Sequence, residues 1–326
     1  MKLSRLKNIK LSPLQFFLLK LFTLLFFLVT MDFIFGSALE TLYFKQRNGE
    51  LYRITYSMDK TKEDILVFGS SRAEHHYHPD IFRERLNMSF FNTGLEGEHI
   101  PFHYALLRGT LKHYTPKVVI LDFVAGEFKY NKEAYEKISN LLPYYRSHPA
   151  IRDIVQLRGP FEKIKLMSHI YPYNSEEIEI LQGFFTSRKL SHQEETGYFP
   201  INKQETESER NIVYADSYPV DSTKINLYKS FLSDCKKAGT ELFVICSPYY
   251  LDAKNEEYSI RIAKKIAKEY NVDFLDFSNG LQLFKNKAYF SDPYHLNDLG
   301  ARVYSNIVID SISRKDQGKL VRLALR

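Results

Sequence analysis

Two serines that follow a short apolar run are the first residues in the sequence that could do covalent chemistry. The run Ile65–Phe68 leads into Gly69, Ser70 and Ser71, and a helix-compatible segment follows. This pattern predicts a buried strand, a tight turn at the glycine and then a helix. Functional groups of an open α/β sheet collect at the carboxyl ends of its strands, so the serines would lie where a nucleophile is needed. The alternative is that they only cap the helix, which is the commoner use of serine in that position.

An aspartate and a histidine near the other end of the sequence could activate such a serine. Asp292 and His295 lie on one short segment, directly before a helix-like run from Asp298 to Ser313. A nucleophilic serine needs a base to accept its proton, and the base needs a carboxylate that orients it and stabilises its charged form. The sequence therefore predicts a Ser–His–Asp arrangement whose two segments are brought together by the fold.

These two segments together resemble the SGNH, or GDSL-like, family of hydrolases and acyltransferases. Gly69-Ser70-Ser71-Arg72 is similar to the first block of that family, with Ser70 in the place of the usual aspartate. Asp292 and His295 match the Asp-x-x-His of its last block. The resemblance implies that Ser71 is the nucleophile, that His295 is the general base and that Asp292 orients it.

The resemblance also implies an oxyanion hole, which stabilises the charged intermediate of acyl transfer. The family uses the backbone N–H of the nucleophile, here Ser71, a glycine N–H of the second block and an asparagine of the third block. The segment that begins at Asn92 resembles the second block, with Gly97 as the better match and Gly94 as the alternative. The third block is not matched, because residues 122–127 contain no asparagine. Either Asn92 replaces it or the hole is weaker.

Other polar residues close to Ser71 leave alternatives open. Arg72 is a candidate ligand for an anionic group of the substrate, or else an ion-pair partner of Asp122 or Glu127. The run Glu74–His78 contains three histidines and suggests a metal site. On a helix these residues would fan around the axis and would not converge. We therefore expect neither a metal nor a cofactor.

Apolar runs and helical patterns alternate from residue 64 to residue 313 and predict how these groups are positioned. We expect strands at Ile65–Phe68, Ser89–Asn92, Lys117–Phe123, Glu241–Cys246 and Val272–Phe277. Strands separated by helices predict a parallel sheet of about five strands in a three-layer αβα domain, here of the flavodoxin-like kind that the resemblance also implies.

A proline-punctuated stretch at 129–221 interrupts the alternation. We interpret it as a helical insertion on the catalytic face, with a mobile polar loop near 190–212. Within it, Met167–Ser175 is rich in aromatic residues. That segment would either stack on sugar rings or, as is commoner, pack on the core.

The N-terminal segment predicts a membrane anchor. Four cations precede an apolar run from about Leu14 to Leu39, which is long enough to cross a bilayer. The positive-inside rule places the N-terminus in the cytoplasm and the remainder on the other side of the membrane. A buried core helix and a signal peptide cleaved near Gly36–Ala38 are the alternatives. We divide the chain into a basic tail and signal anchor at 1–40, a membrane-proximal linker at 41–63, the α/β domain at 64–313 and a basic tail at 314–326.

The overall composition is that of an ordinary globular protein. The 326 residues are 44% hydrophobic and 26% charged, with a formal net charge of +6. We find no basic stripe and no nucleic-acid-binding motif, so no nucleic acid is expected as a partner. The two cysteines, Cys235 and Cys246, could form one disulfide, but the apolar surroundings of Cys246 favour two free thiols.

Two functions are consistent with these features. The first is a membrane-anchored serine esterase or O-acyltransferase that acts on a cell-envelope glycan or polymer, with a membrane protein as acyl donor in the case of transfer. The second is a catalytically impaired domain of the same fold that binds envelope glycan or a membrane partner. The missing asparagine favours the second function, whereas Ser71, His295 and Asp292 favour the first. The substrate class follows from the resemblance and the anchor.

Overall fold

The centre of the fold is a parallel sheet of five strands. The computed structural model of the protein describes residues 12–185, 188–204, 211–279 and 282–315. In chain order, the strands of this sheet and of a separate two-stranded sheet are β1 (Ile65–Phe68), β2 (Phe90–Asn92), β3 (Val118–Asp122), β4 (Asn211–Ile212), β5 (Glu241–Cys246), β6 (Asp252–Ala253) and β7 (Asp273–Asp276). All five predicted strands are present, three of them shortened by one residue at one or both ends.

The strand order creates a crevice at the carboxyl ends of β1 and β3. The main sheet has the order β2-β1-β3-β5-β7, and every neighbouring pair is parallel. This is the flavodoxin-like order, in which the chain switches direction across the sheet between the first and third strands. Ligands bind at such a switch point because the loops that follow the two strands separate there. The predicted fold class is confirmed.

Helices cover both faces of the sheet. The α-helices are α1 (Pro13–Phe44), α2 (Gly49–Asp59), α3 (Ser71–His76), α4 (Pro79–Leu86), α5 (Ile100–His113), α6 (Lys132–Glu136), α7 (Arg152–Val155), α8 (Glu162–Lys165), α9 (Glu177–Phe185), α10 (His192–Thr196), α11 (Ser222–Ala238), α12 (Tyr258–Glu269) and α13 (Asp298–Lys315). Short 3₁₀ segments lie at Lys137–Tyr144, Pro149–Ile151, Gln156–Arg158, Tyr171–Tyr173, Gln282–Lys285 and Lys287–Tyr289.

Alternate residues of each strand feed two separate apolar cores. Leu66 and Phe68 face one core, which α2, α5, α11 and α12 cover, whereas Ile65 and Val67 face the other, which α3, α4 and α13 cover. All of β1 is fully buried, as expected for a strand in a parallel sheet with helices on both faces. This gives the three layers.

Local sequence signals account for the helix boundaries near the site. The Asp221 carboxylate accepts hydrogen bonds from the N–H groups of Thr223 and Lys224 at the start of α11. That helix ends, as predicted, at Gly239, where φ is +77°. The single helix expected after Ser71 is instead divided into α3 and α4. Pro79 begins α4, because proline lacks the N–H that an inner helical turn requires.

The expected membrane-proximal linker contains a helix that belongs to the core. Leu51, Ile54 and Met58 of α2 are buried, and their spacing puts them on one face of the helix. The Thr110 hydroxyl of α5 donates to the Ser57 carbonyl at 3.1 Å, which joins the two helices. Many charged residues and tyrosines surround these three residues in the sequence, so the apolar face of the helix was not recognised there.

The insertion is built from short helical pieces, and its middle packs on α1. The Asp32 carboxylate of α1 accepts a hydrogen bond from the N–H of His169 at 2.7 Å, and another from the Ser168 hydroxyl. Tyr173 is buried with its ring against Tyr43. The aromatic-rich segment therefore packs on α1 and the core. Of the predicted polar loop, residues 205–210 lie outside the described residues.

Helix α1 is long and apolar enough to span a membrane. None of its most apolar window is buried in the protein, which is not the pattern of a core helix. Most of the two predicted basic tails, residues 1–11 and 316–326, lies outside the described residues. Cys235 on α11 and Cys246 on β5 are both buried and free, as predicted.

Candidate active site

Ser71, His295 and Asp292 form one hydrogen-bonded row. Ser71 Oγ lies 2.8 Å from His295 Nε2, and His295 Nδ1 lies 2.9 Å from Asp292 Oδ2. A carboxylate can only accept, so the proton of the neutral imidazole lies on Nδ1. The lone pair of Nε2 then faces the serine hydroxyl, which is the arrangement that removes a proton from a nucleophile.

The turn after β1 places Ser71 at the crevice. Gly69 has φ +148°, and a Cβ there would lie 2.8 Å from the Ala73 side chain and 3.0 Å from that of Asp122. Only glycine fits this close approach. Ser71 follows as the first residue of α3, so its side chain projects from a rigid element at the edge of the sheet.

The second segment is shaped by its own aspartate. Asp292 Oδ1 accepts hydrogen bonds from the N–H groups of Tyr294, at 2.8 Å, and of His295, at 3.0 Å. Burial raises the pKa of the Asp292 carboxyl, but these bonds and the imidazole of His295 outweigh it and leave the pKa below its usual value. Asp292 therefore stays ionised and oriented towards the imidazole.

His76 connects the two segments and was missed in the sequence, where it was only a candidate metal ligand. Its Nε2 accepts the N–H of Leu296 at 2.9 Å, and its Nδ1 lies 2.9 Å from Ser247 Oγ. Burial holds the pKa of His76 well below its usual value, with the nearby charge of Arg72 acting in the same direction. The ring is therefore neutral and can accept at Nε2. The only sequence signal was its position about one and a half helical turns after Ser71.

The side chains of Glu74, His75 and His78, also in the run Glu74–His78, contact different residues. Glu74 Oε1 accepts from Arg53 at 2.6 Å, and His75 Nδ1 lies 2.6 Å from the Phe199 carbonyl. His78 lies against the Tyr198 ring. Within the described ranges, no group of three or more His, Cys, Asp or Glu residues is placed to hold a metal ion.

Of the residues considered for the oxyanion hole, Ser71 and Gly97 line the same cleft. Asn92 does not belong to it, which corrects that prediction. Its side chain is fully buried, donates to the Ala73 carbonyl at 2.6 Å and accepts from the Gly94 N–H at 2.9 Å. The same bond occupies the N–H of Gly94 and removes it as the alternative. Asn92 is a structural residue that holds the second block against α3.

Arg72 also lines the cleft, but most of its guanidinium is engaged inside the protein, so its role as a ligand for the substrate stays a prediction. It is 3% exposed, and its guanidinium donates to the hydroxyl and the carbonyl of Ser247. The guanidinium also stacks on the Tyr249 ring at 3.4 Å and lies 3.8 Å from the Asp122 carboxylate. The pairing with Asp122 was the alternative that the sequence left open.

The cleft in front of Ser71 has a volume of about 590 Å³. Its walls are largely apolar and aromatic, with Tyr214, Tyr218, Tyr249 and Tyr294 among the lining residues. The end of the insertion supplies the first two, and β4 pairs with β6 to hold it there. The Asn255 side chain fixes Tyr214 further by bonding to its N–H at 2.8 Å and to its carbonyl at 2.7 Å. The insertion thus contributes to the predicted catalytic face.

A second histidine lines the cleft and was also missed. His99 Nδ1 lies 3.1 Å from Glu127 Oε2, and Glu127 Oε1 accepts the N–H of Ile100 at 3.0 Å. Lys224, which is fully buried, lies 3.7 Å from the same carboxylate. Burial raises the pKa of Glu127, but the bond and charge of His99, with Lys224, bring it down to about 2. The position of Glu127 at the end of the third block was the only signal.

Glu98, next to His99, is a buried acid whose pKa is shifted upward, in contrast to that of Glu127. It is 1% exposed, and its Oε2 has no hydrogen-bond partner in the part of the chain that the structure describes. Burial raises the pKa of Glu98 to about 8, although Lys137 and the Asn140 amide oppose the shift. Glu98 is therefore mostly protonated at neutral pH.

Comparison with known proteins yields structural neighbours only. No model of a protein family and no curated protein matches the sequence. A "putative acylhydrolase" from Bacteroides fragilis NCTC 9343 is 13% identical, with a TM-score of 0.39 over 79% of this chain and 89% of that one. An acetyl xylan esterase is 14% identical, with a TM-score of 0.39 over 76% of this chain and 99% of that one. Likeness at this level carries no argument about activity, which must come from the geometry of the cleft.

Proposed function

We propose that the protein is a membrane-anchored serine esterase or O-acyltransferase of the SGNH-like kind, acting on an acylated cell-envelope glycan or polymer outside the cytoplasm. The observation that carries this proposal is the row of Ser71, His295 and Asp292, with 2.8 Å and 2.9 Å between successive partners, at the wall of an open cleft. Ser71 and His295 are 224 positions apart in the sequence, and the fold brings them into this geometry.

The chemistry follows from the row. Ser71 Oγ attacks the carbonyl carbon of the ester while His295 Nε2 takes its proton, and the Asp292 carboxylate stabilises the resulting imidazolium. The N–H groups of Ser71 and Gly97 would bind the oxyanion. When the intermediate collapses, the C–O bond of the ester breaks and His295 returns the proton to the departing alcohol. Water or an acceptor hydroxyl then attacks the acyl-serine by the same route, giving hydrolysis or transfer.

His99 is our candidate for the third donor in place of the missing asparagine. It lines the cleft, and the Glu127 carboxylate of the third block fixes its ring from behind. Because Nδ1 lies against the Glu127 carboxylate, Nε2, which lies 3.4 Å from Asn131 Nδ2, is the ring nitrogen whose N–H would be offered to the oxyanion. That N–H would supply the donor that the family takes from a side chain of its third block.

The substrate class is inferred from the residues that line the cleft, and the location of the domain is inferred from helix α1. Tyrosine rings such as those of Tyr214, Tyr218 and Tyr294 suit the flat faces of sugar rings. With α1 in the membrane and the leading cations in the cytoplasm, the cleft would open on the far side of the bilayer. In the transfer reaction, the acyl group would come from a second membrane protein.

A fluorophosphonate probe tests the nucleophile directly. The full-length protein in detergent should be labelled covalently at Ser71, and Ser71→Ala should abolish the label. Ser70→Ala should retain it, because the Ser70 side chain makes no cap bond and lies outside the hydrogen-bonded row. A folded protein that takes no label would instead support the rival function, a non-catalytic glycan-binding domain.

Reporter fusions placed after Lys60 test the proposed topology. Reporter activity only in the cytoplasm would overturn it.

A further inference from the structure

A short turn beside α1 exposes three large apolar side chains. Phe161 and Ile164 are each 64% exposed, and Met167 is 77% exposed. Ile164 lies in α8, and the other two flank that helix at intervals of three residues, so all three lie along one side of the turn. Exposed apolar residues grouped in this way mark an interaction surface. We call the segment Phe161–Met167 the apolar turn.

The apolar turn is held firmly in this exposed position. The Arg146 guanidinium donates to the carbonyls of Leu166, at 3.0 Å, and of Ser168, at 2.9 Å. From the other side, Asp32 of α1 accepts hydrogen bonds from Ser168 and from the N–H of His169. Because charged groups of two other elements fix the end of the turn, its exposure is a built feature of the fold.

The position of this contact along α1 corresponds to a membrane surface. The exposed large apolar side chains of α1 run from Leu14 to Phe35, with Lys20 near the start of this stretch and Asp32 near its end. At a rise of about 1.5 Å per residue this stretch is about 33 Å long, close to the hydrocarbon thickness of about 30 Å. Asp32 therefore lies near the outer end of the stretch of α1 that would span a bilayer, and the apolar turn ends directly beside it, next to Ser168.

We propose that the apolar turn inserts its side chains into the outer leaflet and forms a second contact with lipid. This inference rests on the membrane anchoring contained in the proposed function. A bilayer is the occupant because the end of the turn is bonded to Asp32, and exposed apolar side chains of α1, Val29 and Phe33, lie on both sides of Asp32 along the chain. Lys163 and Lys165, on either side of Ile164, would reach the headgroup phosphates while the apolar side chains enter the acyl region.

Helix α9 provides a matched control surface. Ile178, Leu181 and Phe185 are also exposed on one side of that helix. The carbonyl of Ile180, however, accepts from the side chain of Gln46 at 2.8 Å. Phe44, the last residue of α1, follows Asp32 by about 18 Å at the helical rise, and Gln46 comes two residues after it. A label on α9 therefore lies outside the reach of the leaflet.

Site-specific fluorescence in vesicles tests the proposal. The native cysteines are fully buried, so a single introduced cysteine takes the label. Full-length Ile164→Cys, Ile178→Cys and Phe22→Cys carry an environment-sensitive fluorophore in vesicles of phosphatidylcholine and phosphatidylglycerol. We expect a lipid with a nitroxide near its headgroup to quench Ile164→Cys several-fold more than Ile178→Cys, and aqueous iodide to show the reverse order.

The third label separates the two ways in which the proposal can fail. Phe22→Cys should be quenched by a nitroxide deep in the acyl chain, which shows that α1 is inserted. If it is quenched while Ile164→Cys behaves like Ile178→Cys, the apolar turn does not enter lipid and the inference is overturned. If Phe22→Cys is not quenched, the anchoring itself is wrong and the inference falls with it. Probe labelling of Ser71 reports on the catalytic proposal independently of both outcomes.

Discussion

His76 Nε2 accepts a hydrogen bond of 2.9 Å from the backbone N–H of Leu296. The donor is the residue directly after His295, and the acceptor lies on α3, the helix that Ser71 begins. Helix α3 is therefore joined to the segment of His295 by a buried hydrogen bond, which helps to fix the separation of Ser71, the proposed nucleophile, and His295, the proposed base.

Removal of this bond should impair catalysis by displacement of the base. We expect His76→Ala to lower kcat for a simple aryl ester about 10- to 100-fold with little change in KM, because a misplaced base costs rate more than binding. His76→Gln, whose side-chain oxygen can reach the Leu296 N–H, should recover part of the loss. Steady-state kinetics and circular dichroism measure both effects. Full activity in a folded His76→Ala would contradict the positioning role, and His192→Ala, on the exposed face of α10, serves as the control.

Asp292→Asn should reduce turnover less than loss of the base does. The amide cannot stabilise the imidazolium and favours the wrong tautomer of His295, so we expect a loss of about 10²- to 10⁴-fold. Because the three groups act as one unit, Asp292→Asn combined with His295→Ala should be no slower than His295→Ala alone. Additive losses in this double variant would mean that Asp292 acts elsewhere. Asp310→Asn, at an exposed site on α13, is the matched control.

His99→Ala tests the third oxyanion donor. If its Nε2–H binds the developing charge, the variant should lose about 10- to 100-fold in kcat, and KM should change less. His99→Asn, which offers an N–H donor of smaller reach, should lie between the variant and the original protein. Equal kcat in all three proteins would exclude His99 from the oxyanion hole.

Glu127→Gln should destabilise the fold at neutral pH. Folding lowers the pKa of this carboxyl from 4.5 to about 2, so its contribution is present above the unfolded pKa and is lost as pH falls through the folded pKa. The shift corresponds to about 3 kcal/mol, and the variant also leaves Lys224 buried without its counter-charge. Chemical denaturation should show the loss at about pH 7 and a much smaller one near about pH 3. The exposed variant Glu133→Gln should change the stability by less than about 0.5 kcal/mol.

Glu98→Gln should stabilise the fold at alkaline pH. Folding raises the pKa of Glu98 from 4.5 to about 8, so the folded protein binds the extra proton and loses stability as pH rises between these values. The amide keeps an acceptor for Asn140 and never becomes charged. We expect the variant to be more stable by about 1–4 kcal/mol at about pH 9 and nearly unchanged at about pH 5. A parallel pH dependence of the two proteins would show that Glu98 is already solvated in the fold.

The elements that are strongly patterned in the sequence are those that it predicted well. The apolar run of β1 and the stop of α11 at Gly239 were visible because burial and helix capping act over a few neighbouring residues. The crevice was predictable for the same reason, since Ser71 follows a buried strand and the alternation of elements implies a parallel sheet. The core role of α2 was not, because its apolar stripe gains meaning only when α5 packs against it.

The roles of individual polar side chains were harder to predict, because they depend on long-range contacts. Asn92 and Arg72 lie next to the predicted site in the sequence, but their side chains form hydrogen bonds inside the protein. Asn92 donates to the Ala73 carbonyl and Arg72 donates to Ser247. His76 and His99 were passed over for the converse reason, since their partners lie on distant segments of the chain. A strand end identifies the place of a site, whereas the partner of each side chain requires the fold.

The contact between Asp32 and the Ser168–His169 backbone also decides how the domain can search for its substrate. Since α1 is bonded to the insertion there and packs through buried Tyr43, the membrane anchor that we propose would be rigidly connected to the domain and would not act as a flexible tether. A flexible tether would let the cleft reach any point within a hemisphere around the anchor. The effective concentration of the cleft at a given substrate would then fall as the tether grows longer. A rigid anchor of the proposed kind would instead keep Ser71 at a nearly fixed height above the bilayer, so the search for a substrate held in the envelope would be two-dimensional.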